Sequence, residues 1–371
     1  YLSMRLLSSA AALRYAYRHP ETAATDAPRI DVLQPILSGD PDLRSALRDN
    51  VLRNAPSVFF LWLIDRDDSV ALAIATELQQ EFPERILLIE TEPFDGVGNP
   101  KVAKLIVGAQ RASAEWLAIL DDDTRLGERQ LAIGVAALRN GADLYTGLPS
   151  YDAALGLPSH ALAQFVNASA IPTYLAPLVL LEPVTINGMF YLGRTTWFRE
   201  SQAFDAIRNE LCDDYALAKF VIRRGERIRQ GIASQRIRTT VSGWKHYFAL
   251  MHRWLLFAGV LLRDQPLGRR VLLSMVLGLP PLLLWGTLLS LTEPWYGIPI
   301  VAVTFFGRWG IAVGTRHRLG LAPVVFDPLT SFMVELLTPL HAVHAELVRT
   351  ISWRSRRFKV GRDGSFKALP G

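Results

Sequence analysis

A chain of 371 residues that is 50% hydrophobic, with a mean hydropathy of +0.18, is too apolar for an ordinary soluble enzyme; at 20% charged it is too polar for a bare bundle of membrane helices. The 40 Lys and Arg against 35 Asp and Glu leave a net charge of +5. The single cysteine, Cys212, excludes an intrachain disulfide and a cysteine-built zinc site, and fits a reducing cytoplasmic face.

Residues 1–19, within an N-terminal segment of 1–28, are only moderately apolar and carry Arg5, Arg14 and Arg18. They read as the inner part of an anchor helix or as a linker, and no cleavable signal peptide is evident. From residue 29 strands and helices alternate. Strands are expected at 30–36, 58–64, 85–90, 116–120 and 142–147, and helices at 41–53 (capped by Asp40), 69–81, 100–113 and 129–140. The run Val58-Phe59-Phe60-Leu61-Trp62-Leu63-Ile64 has the continuous apolarity of a strand buried on both faces. Such alternation predicts a parallel sheet covered by helices, with ligands beyond the carboxyl ends of the strands. Asp65-Arg66-Asp67-Asp68 and Asp121-Asp122-Asp123 both fall at those ends.

Three adjacent carboxylates after a buried strand repel one another and lose hydration. The triplet is either a solvated acidic turn or a site for a hard cation, Mg²⁺ or Mn²⁺, held by Asp121 and Asp123 and shared with substrate phosphates. Gly96-Val97-Gly98-Asn99-Pro100-Lys101 is either a capped helix start or a phosphate cradle in which Lys101 takes part; it lacks the ending of a Walker loop. Asp213 and Asp214 open a helix, where a carboxylate is explained by the helix dipole alone or serves as a general base. Ser159-His160 has no recognisable catalytic partners.

After residue 243 the composition changes. Residues 244–264 read as an amphipathic helix in a membrane interface, with a surface helix as the alternative. In it, His252-Arg253-Trp254 is either an interfacial anchor or a group that neutralises a departing diphosphate and packs a sugar or nucleotide ring. Residues 271–291 are uncharged and have the length of a bilayer span. Residues 295–315 form a second candidate, with Arg308 expected to snorkel or meet headgroups. Arg263, Arg269 and Arg270 before this hairpin and Arg316 and Arg318 after it put its outer ends in the cytoplasm. Residues 329–351 carry Glu335, His341, His344 and Glu346 and read as an interfacial or re-entrant helix or a third span; the histidines form a polar stripe or, less simply, a metal pair. The domain boundaries expected are therefore 1–28, 29–243, 244–264, 265–351 and a basic cytoplasmic tail at 352–371, which faces anionic lipid rather than nucleic acid.

Taken in order, these pieces resemble the ceramide glucosyltransferase family, within the processive-synthase-like glycosyltransferases. The resemblance rests on Asp65-Arg66-Asp67-Asp68, on residues 97–105, and on Leu120-Asp121-Asp122-Asp123-Thr124-Arg125-Leu126. Gly147-Leu148-Pro149, Ile186-Asn187-Gly188-Met189, Asp213-Asp214-Tyr215 and Met251-His252-Arg253-Trp254 extend it, with further likeness at 353–357. It implies an α/β fold of the GT-A type, a Rossmann-like nucleotide-diphospho-sugar transferase domain, followed by interfacial and transmembrane helices. It also implies inversion at the anomeric carbon. By the same resemblance Asp67 or Asp68 binds nucleotide, Asp121 and Asp123 bind a metal-diphosphate, Asp214 is the catalytic base, and Arg253 and Trp254 contact diphosphate or product. Leu250 departs from the family's Gln or Arg at the start of its (Q/R)xxRW helix.

The expectation is an inverting hexosyltransferase moving sugar from a UDP-sugar to a membrane lipid, ceramide or a hopanoid. It would be a multi-pass protein of a bacterial inner membrane with its catalytic domain cytoplasmic, needing Mg²⁺ or Mn²⁺ but neither nucleic acid nor an obligate protein partner. A processive polysaccharide synthase of the same fold and a non-catalytic membrane scaffold are the alternatives.

Overall fold

The computed structural model describes all residues except 95–97, 153, 354–355, 362–363 and 370–371. Gly96 and Val97 of the expected phosphate turn, and Arg354, Ser355 and Arg362 of the basic tail, lie outside the described residues. The chain forms two compact units: one of residues 21–149 and 182–240, the other of 1–20, 150–181 and 241–371. Residues 150–181, inside the span expected for the transferase domain, belong to the second.

In chain order, α1 (Leu2–Arg18) precedes β1 (Ile30–Pro35), α2 (Leu43–Leu52), β2 (Val58–Asp65), α3 (Ser69–Glu81), β3 (Ile86–Thr91), α4 (Pro100–Arg111) and β4 (Trp116–Leu120). The short β5 (Thr124–Arg125), α5 (Glu128–Arg139), β6 (Leu144–Tyr151), α6 (Leu157–Tyr174) and β7 (Phe190–Arg194) follow. Then come α7 (Thr195–Glu200), α8 (Ala203–Ala206), α9 (Asp213–Arg223) and β8 (Ile228–Ile237). The first unit is built on a sheet of order β3-β2-β1-β4-β7-β6-β8-β5. The wholly parallel sheet expected from the sequence is only half right. β1, β2, β3 and β4 are parallel, whereas β7 runs antiparallel to β4 and β6, and β5 antiparallel to β8. These pairs join strands far apart in the chain, and strand–helix alternation specifies neither the partner nor the direction of such a strand.

The parallel half is apolar on both faces. Phe60, Trp62 and Ile64 pack with Ile30, Val32 and Trp116 on one side, and Leu61 and Leu63 pack with Leu33, Leu117 and Leu105 on the other. Gly108 lets α4 lie close to the sheet, since a Cβ there would come 2.9 Å from Leu63. Asp40 is not the cap of α2. Asp42 holds that position, and Asp40 instead accepts from the Asp42 and Thr240 amides and the Thr240 hydroxyl.

The second unit holds α10 (Trp244–Asp264), α11 (Leu267–Leu289), α12 (Pro294–Arg318) and α13 (Pro328–Leu347) with α1 and α6. Residues Leu267–Thr292 and Pro294–Arg318 are long and apolar enough to cross a membrane. Both leave most of their apolar side chains uncovered, including Leu282, Trp285, Leu289, Trp295, Tyr296, Val303 and Phe306, which is unlike a core helix of a soluble protein. Arg308 does not snorkel. It is 5% exposed, its Nη2 lies 2.7 Å from Glu335 Oε2 on α13, and its Nη1 donates to Ser331 Oγ. An arginine within an apolar helix is costly unless paired, and Glu335 is the pair. His344 Nδ1 lies 3.0 Å from His252 Nδ1, and His341 packs on the rings of Phe248 and Tyr247.

The helix expected to run to residue 351 stops at Leu347. From Thr350 the chain forms an antiparallel sheet of β9 (Thr350–Trp353), β10 (Arg356–Val360) and β11 (Phe366–Leu369), in the order β11-β10-β9. Alternation explains it, because Ile351, Phe358 and Val360 are buried while Arg357 and Lys359 are exposed.

Candidate active site

The reversed strands assemble the site. Because β7 runs against β4, with Leu120 opposite Phe190, the residues entering β7 meet the end of β4, and the Asp121 amide donates to Met189 O at 3.0 Å. The pairing of β5 with β8 likewise brings the residues leaving β8 to the triplet. Thr239 Oγ1 donates to Asp123 Oδ2 at 2.6 Å, and Thr124 Oγ1 donates to Asp123 Oδ1. Asp122 Oδ2 accepts from the Leu37 amide at 2.8 Å. Burial and the neighbouring Asp123 push the Asp122 carboxyl up to about 7. Burial and Asp121 push Asp123 up to about 6, despite the two threonine hydroxyls. The charged triplet is strained electrostatically, as a cation site is before its cation arrives.

Lys101 connects this triplet to α9. Asn99 caps α4 by accepting the Lys101 and Val102 amides, and Pro100 occupies the first turn. Gly98 has φ +140°, and a Cβ on it would lie 2.8 Å from Arg208 O, so the approach requires glycine. The Asn99 amide donates to the same Arg208 O, and Asn99 Nδ2 donates to Glu210 O, which ties the start of α4 to the segment leading into α9. Lys101 Nζ then sits 2.6 Å from Asp121 Oδ1 and 3.5 Å from Asp213 Oδ2, and donates to Gly188 O at 3.0 Å. Burial opposes its charge, but Asp121 and Asp213 more than compensate and hold the ammonium well above the usual lysine range.

Asp214 borders the same place. Its Oδ1 accepts from the Tyr215 amide at 2.7 Å and faces Cys212 Sγ at 3.0 Å, while Oδ2 has no hydrogen-bond partner among the described residues. A Cβ on Gly188 would come 3.0 Å from Asp214 Cβ and 3.3 Å from Oδ2, so only glycine leaves this carboxylate clear. Burial, and then Asp213, raise the Asp214 carboxyl above the ordinary range, which suits a proton acceptor. Asn187 fixes Gly188: it takes Gln235 Nε2 and the Met189 amide on Oδ1, and its own amide donates to Thr146 Oγ1. Gln235 reaches it past Gly147, where a Cβ would sit 2.3 Å from Gln235 Oε1.

Asp121, Lys101 and Asp214, predicted separately, are thus brought to one edge of the sheet, with Asp123 alongside. Asp67 is exposed and makes no hydrogen bond or ion pair among the described residues. Asp68 caps α3 through the Ala71 amide and also accepts the Ser38 amide; burial would raise its carboxyl, but these two donors hold it below the usual range. Arg253 and Trp254 belong to the other unit, on α10, where the Trp254 ring stacks on Phe165 with centroids 6.3 Å apart. The sequence did not point to the Lys101–Asp213 pairing, to Thr239 or to the buried pair Lys104–Asp65, whose Nζ and Oδ2 are 3.0 Å apart. Lys104 could have been found there, because it falls on the apolar face of α4 with Val102, Leu105 and Gly108, where a lysine needs an acid. Among the described residues no group of three or more His, Cys, Asp or Glu side chains is arranged to hold a metal. Asp121 and Asp123 nevertheless fit a hard cation that takes one or two carboxylates and fills its other positions with water and substrate phosphate.

No curated protein sequence matches the chain. Among solved structures, the mannosyltransferase PcManGT from Pyrobaculum calidifontis, in complex with GDP-Man and Mn²⁺, is similar over 93% of this chain and 97% of that one, at 16% identity and a TM-score of 0.52. That likeness shows a glycosyltransferase fold of the GT-A type, and the C-terminal helices α11 and α12 are apolar enough to span a membrane. The Glycosyl transferase family 21 model matches residues 2–366, and the chain belongs to that family and is a glycosyltransferase.

Proposed function

We propose that this glycosyltransferase moves a sugar from a nucleotide-sugar donor, a UDP-sugar such as UDP-glucose, to the hydroxyl of a membrane lipid of the ceramide or hopanoid type, with inversion. The observation that carries this reading is the meeting of Asp121, Lys101, Gly188 and Asp214 at one sheet edge. The Mn²⁺ and GDP-Man in the complex of the similarly folded mannosyltransferase support a metal-assisted nucleotide-sugar donor. The two candidate spans support an acceptor drawn from the bilayer and a multi-pass protein, with the catalytic unit on the cytoplasmic side by the positive-inside rule.

Asp214 Oδ2 takes the proton of the acceptor hydroxyl as that oxygen attacks the anomeric carbon. The bond to the donor phosphate breaks, and its electron pair leaves with the nucleoside diphosphate. Asp121 and Asp123 would hold Mg²⁺ or Mn²⁺, which when bound neutralises the diphosphate. Lys101 supplies further positive charge to the leaving group, and the family resemblance assigns Arg253 to the diphosphate. The same resemblance assigns Trp254 to diphosphate or product and Asp67 or Asp68 to the nucleotide.

Incubating the purified protein with a panel of nucleotide sugars and extracted membrane lipids, with mass detection, identifies donor and acceptor. A single added sugar is expected; a polymer would replace this reading with a processive synthase. Asp214→Asn is expected to lower kcat by about 10²–10⁴-fold while donor affinity is retained. Near-normal turnover would remove Asp214 from the base role.

A further inference from the structure

A groove of about 40 Å³ lies in the second unit among α1, α6 and α12, lined by Arg5, Ser8, Ser9, Asn167, Arg308 and Thr315 on its polar side. Ile171, Pro172, Ile311 and Ala312 form an apolar wall. That volume accommodates about three waters, roughly one tetrahedral phosphate. Among the described residues no acidic side chain lines it.

The charges beneath the groove do not balance. Arg5 and Arg308 both pair with Glu335, and Tyr1 OH bridges the three. Two guanidinium groups therefore share one carboxylate. Arg308 is largely consumed: Nε and Nη2 reach Glu335, and Nη1 and Nη2 reach Ser331. Arg5 is not. Nε goes to Tyr1 OH and Nη2 to Glu335, whereas Nη1 and the hydroxyls of Ser8 and Ser9 have no hydrogen-bond partner among the described residues. An uncompensated positive charge on an apolar-walled groove beside a candidate span favours an anion strongly, because water is scarce there to screen it.

We propose that this groove binds one singly charged phosphate group, held by Arg5 Nη1 and the serine hydroxyls. Arginine's fork matches phosphate oxygens, and one phosphodiester carries the single negative charge that the cluster lacks. An anionic lipid headgroup and free phosphate share this chemistry. The groove is lined wholly by residues of the second unit, and its test does not depend on turnover.

The test is the thermal unfolding of the delipidated full chain in detergent, titrated separately with phosphatidylglycerol, phosphatidylcholine and inorganic phosphate. A rise in Tm with phosphatidylglycerol but not phosphatidylcholine assigns the site to a lipid; the same rise with millimolar phosphate assigns it to the free anion. In either case Arg5→Gln should weaken the apparent affinity about tenfold or more. Ala312→Leu, which fills the groove and keeps every charge, should do the same. The proposal fails if no anion shifts Tm, or if both variants respond as the wild type does.

Discussion

At the scale of single residues the site depends on what is missing as much as on what is present. Gly188 supplies no side chain, and its emptiness leaves Asp214 Oδ2 accessible; Gly188→Ala places a Cβ 3.0 Å from Asp214 Cβ. We expect this variant to fold but to lose turnover about 10–100-fold, as misplacement of a reacting group by about 1 Å does; unchanged kcat would deny the carboxylate its role. The raised Asp214 carboxyl also sets a pH dependence. A base whose pKa is raised stays protonated to a higher pH, so kcat should fall as pH drops through a value above the ordinary carboxylate range. Asp123 is pushed up to about 6, and a protonated carboxyl does not ligate a cation. Mn²⁺ affinity should therefore climb as pH rises through about 6, with protons released on binding, and calorimetry in buffers of different ionisation enthalpy measures both. An affinity flat with pH across that range would show that Asp123 is not a ligand.

Elements carry the side chains to this edge, and here the sequence was legible unevenly. α3 and β4 fall where periodicity put them, because a long amphipathic stretch and a continuous apolar run each have one way of being buried. β7 and β8 were not anticipated, and they deliver Gly188 and Thr239. Their pairing is long-range, and no local pattern names the partner: Phe190 finds Leu120, and Ile237 finds Thr124. Lys104 on α4 is fastened to Asp65 at the end of β2 with only 3% of its side chain exposed. Lys104→Met removes the ammonium from that carboxylate, and a loss of about 3–5 kcal/mol is expected, read as a fall in Tm. The double variant Lys104→Met with Asp65→Asn should recover most of it, and an equal loss in both would assign the effect to packing instead.

For the whole molecule, each of the two units is discontinuous in the chain, with residues 150–181 and 1–20 joining the helices of the C-terminal part. Two helices with exposed apolar faces imply anchoring by burial in lipid rather than by charge. The chain should stay with the membrane fraction through high salt and alkaline carbonate, and release by salt alone would exclude the spans. Order and residue type along the chain were sufficient for the family, the alternation of strand and helix, the acidic triplet and the apolar hairpin, since each is a local pattern with a local physical cause. Only the tertiary structure decided that half the sheet is antiparallel, that Lys101 bridges Asp121 and Asp213, and that Arg308 is neutralised by Glu335. Those facts depend on which distant segments meet, and burial energy selects such meetings over the whole chain, not within any window of it.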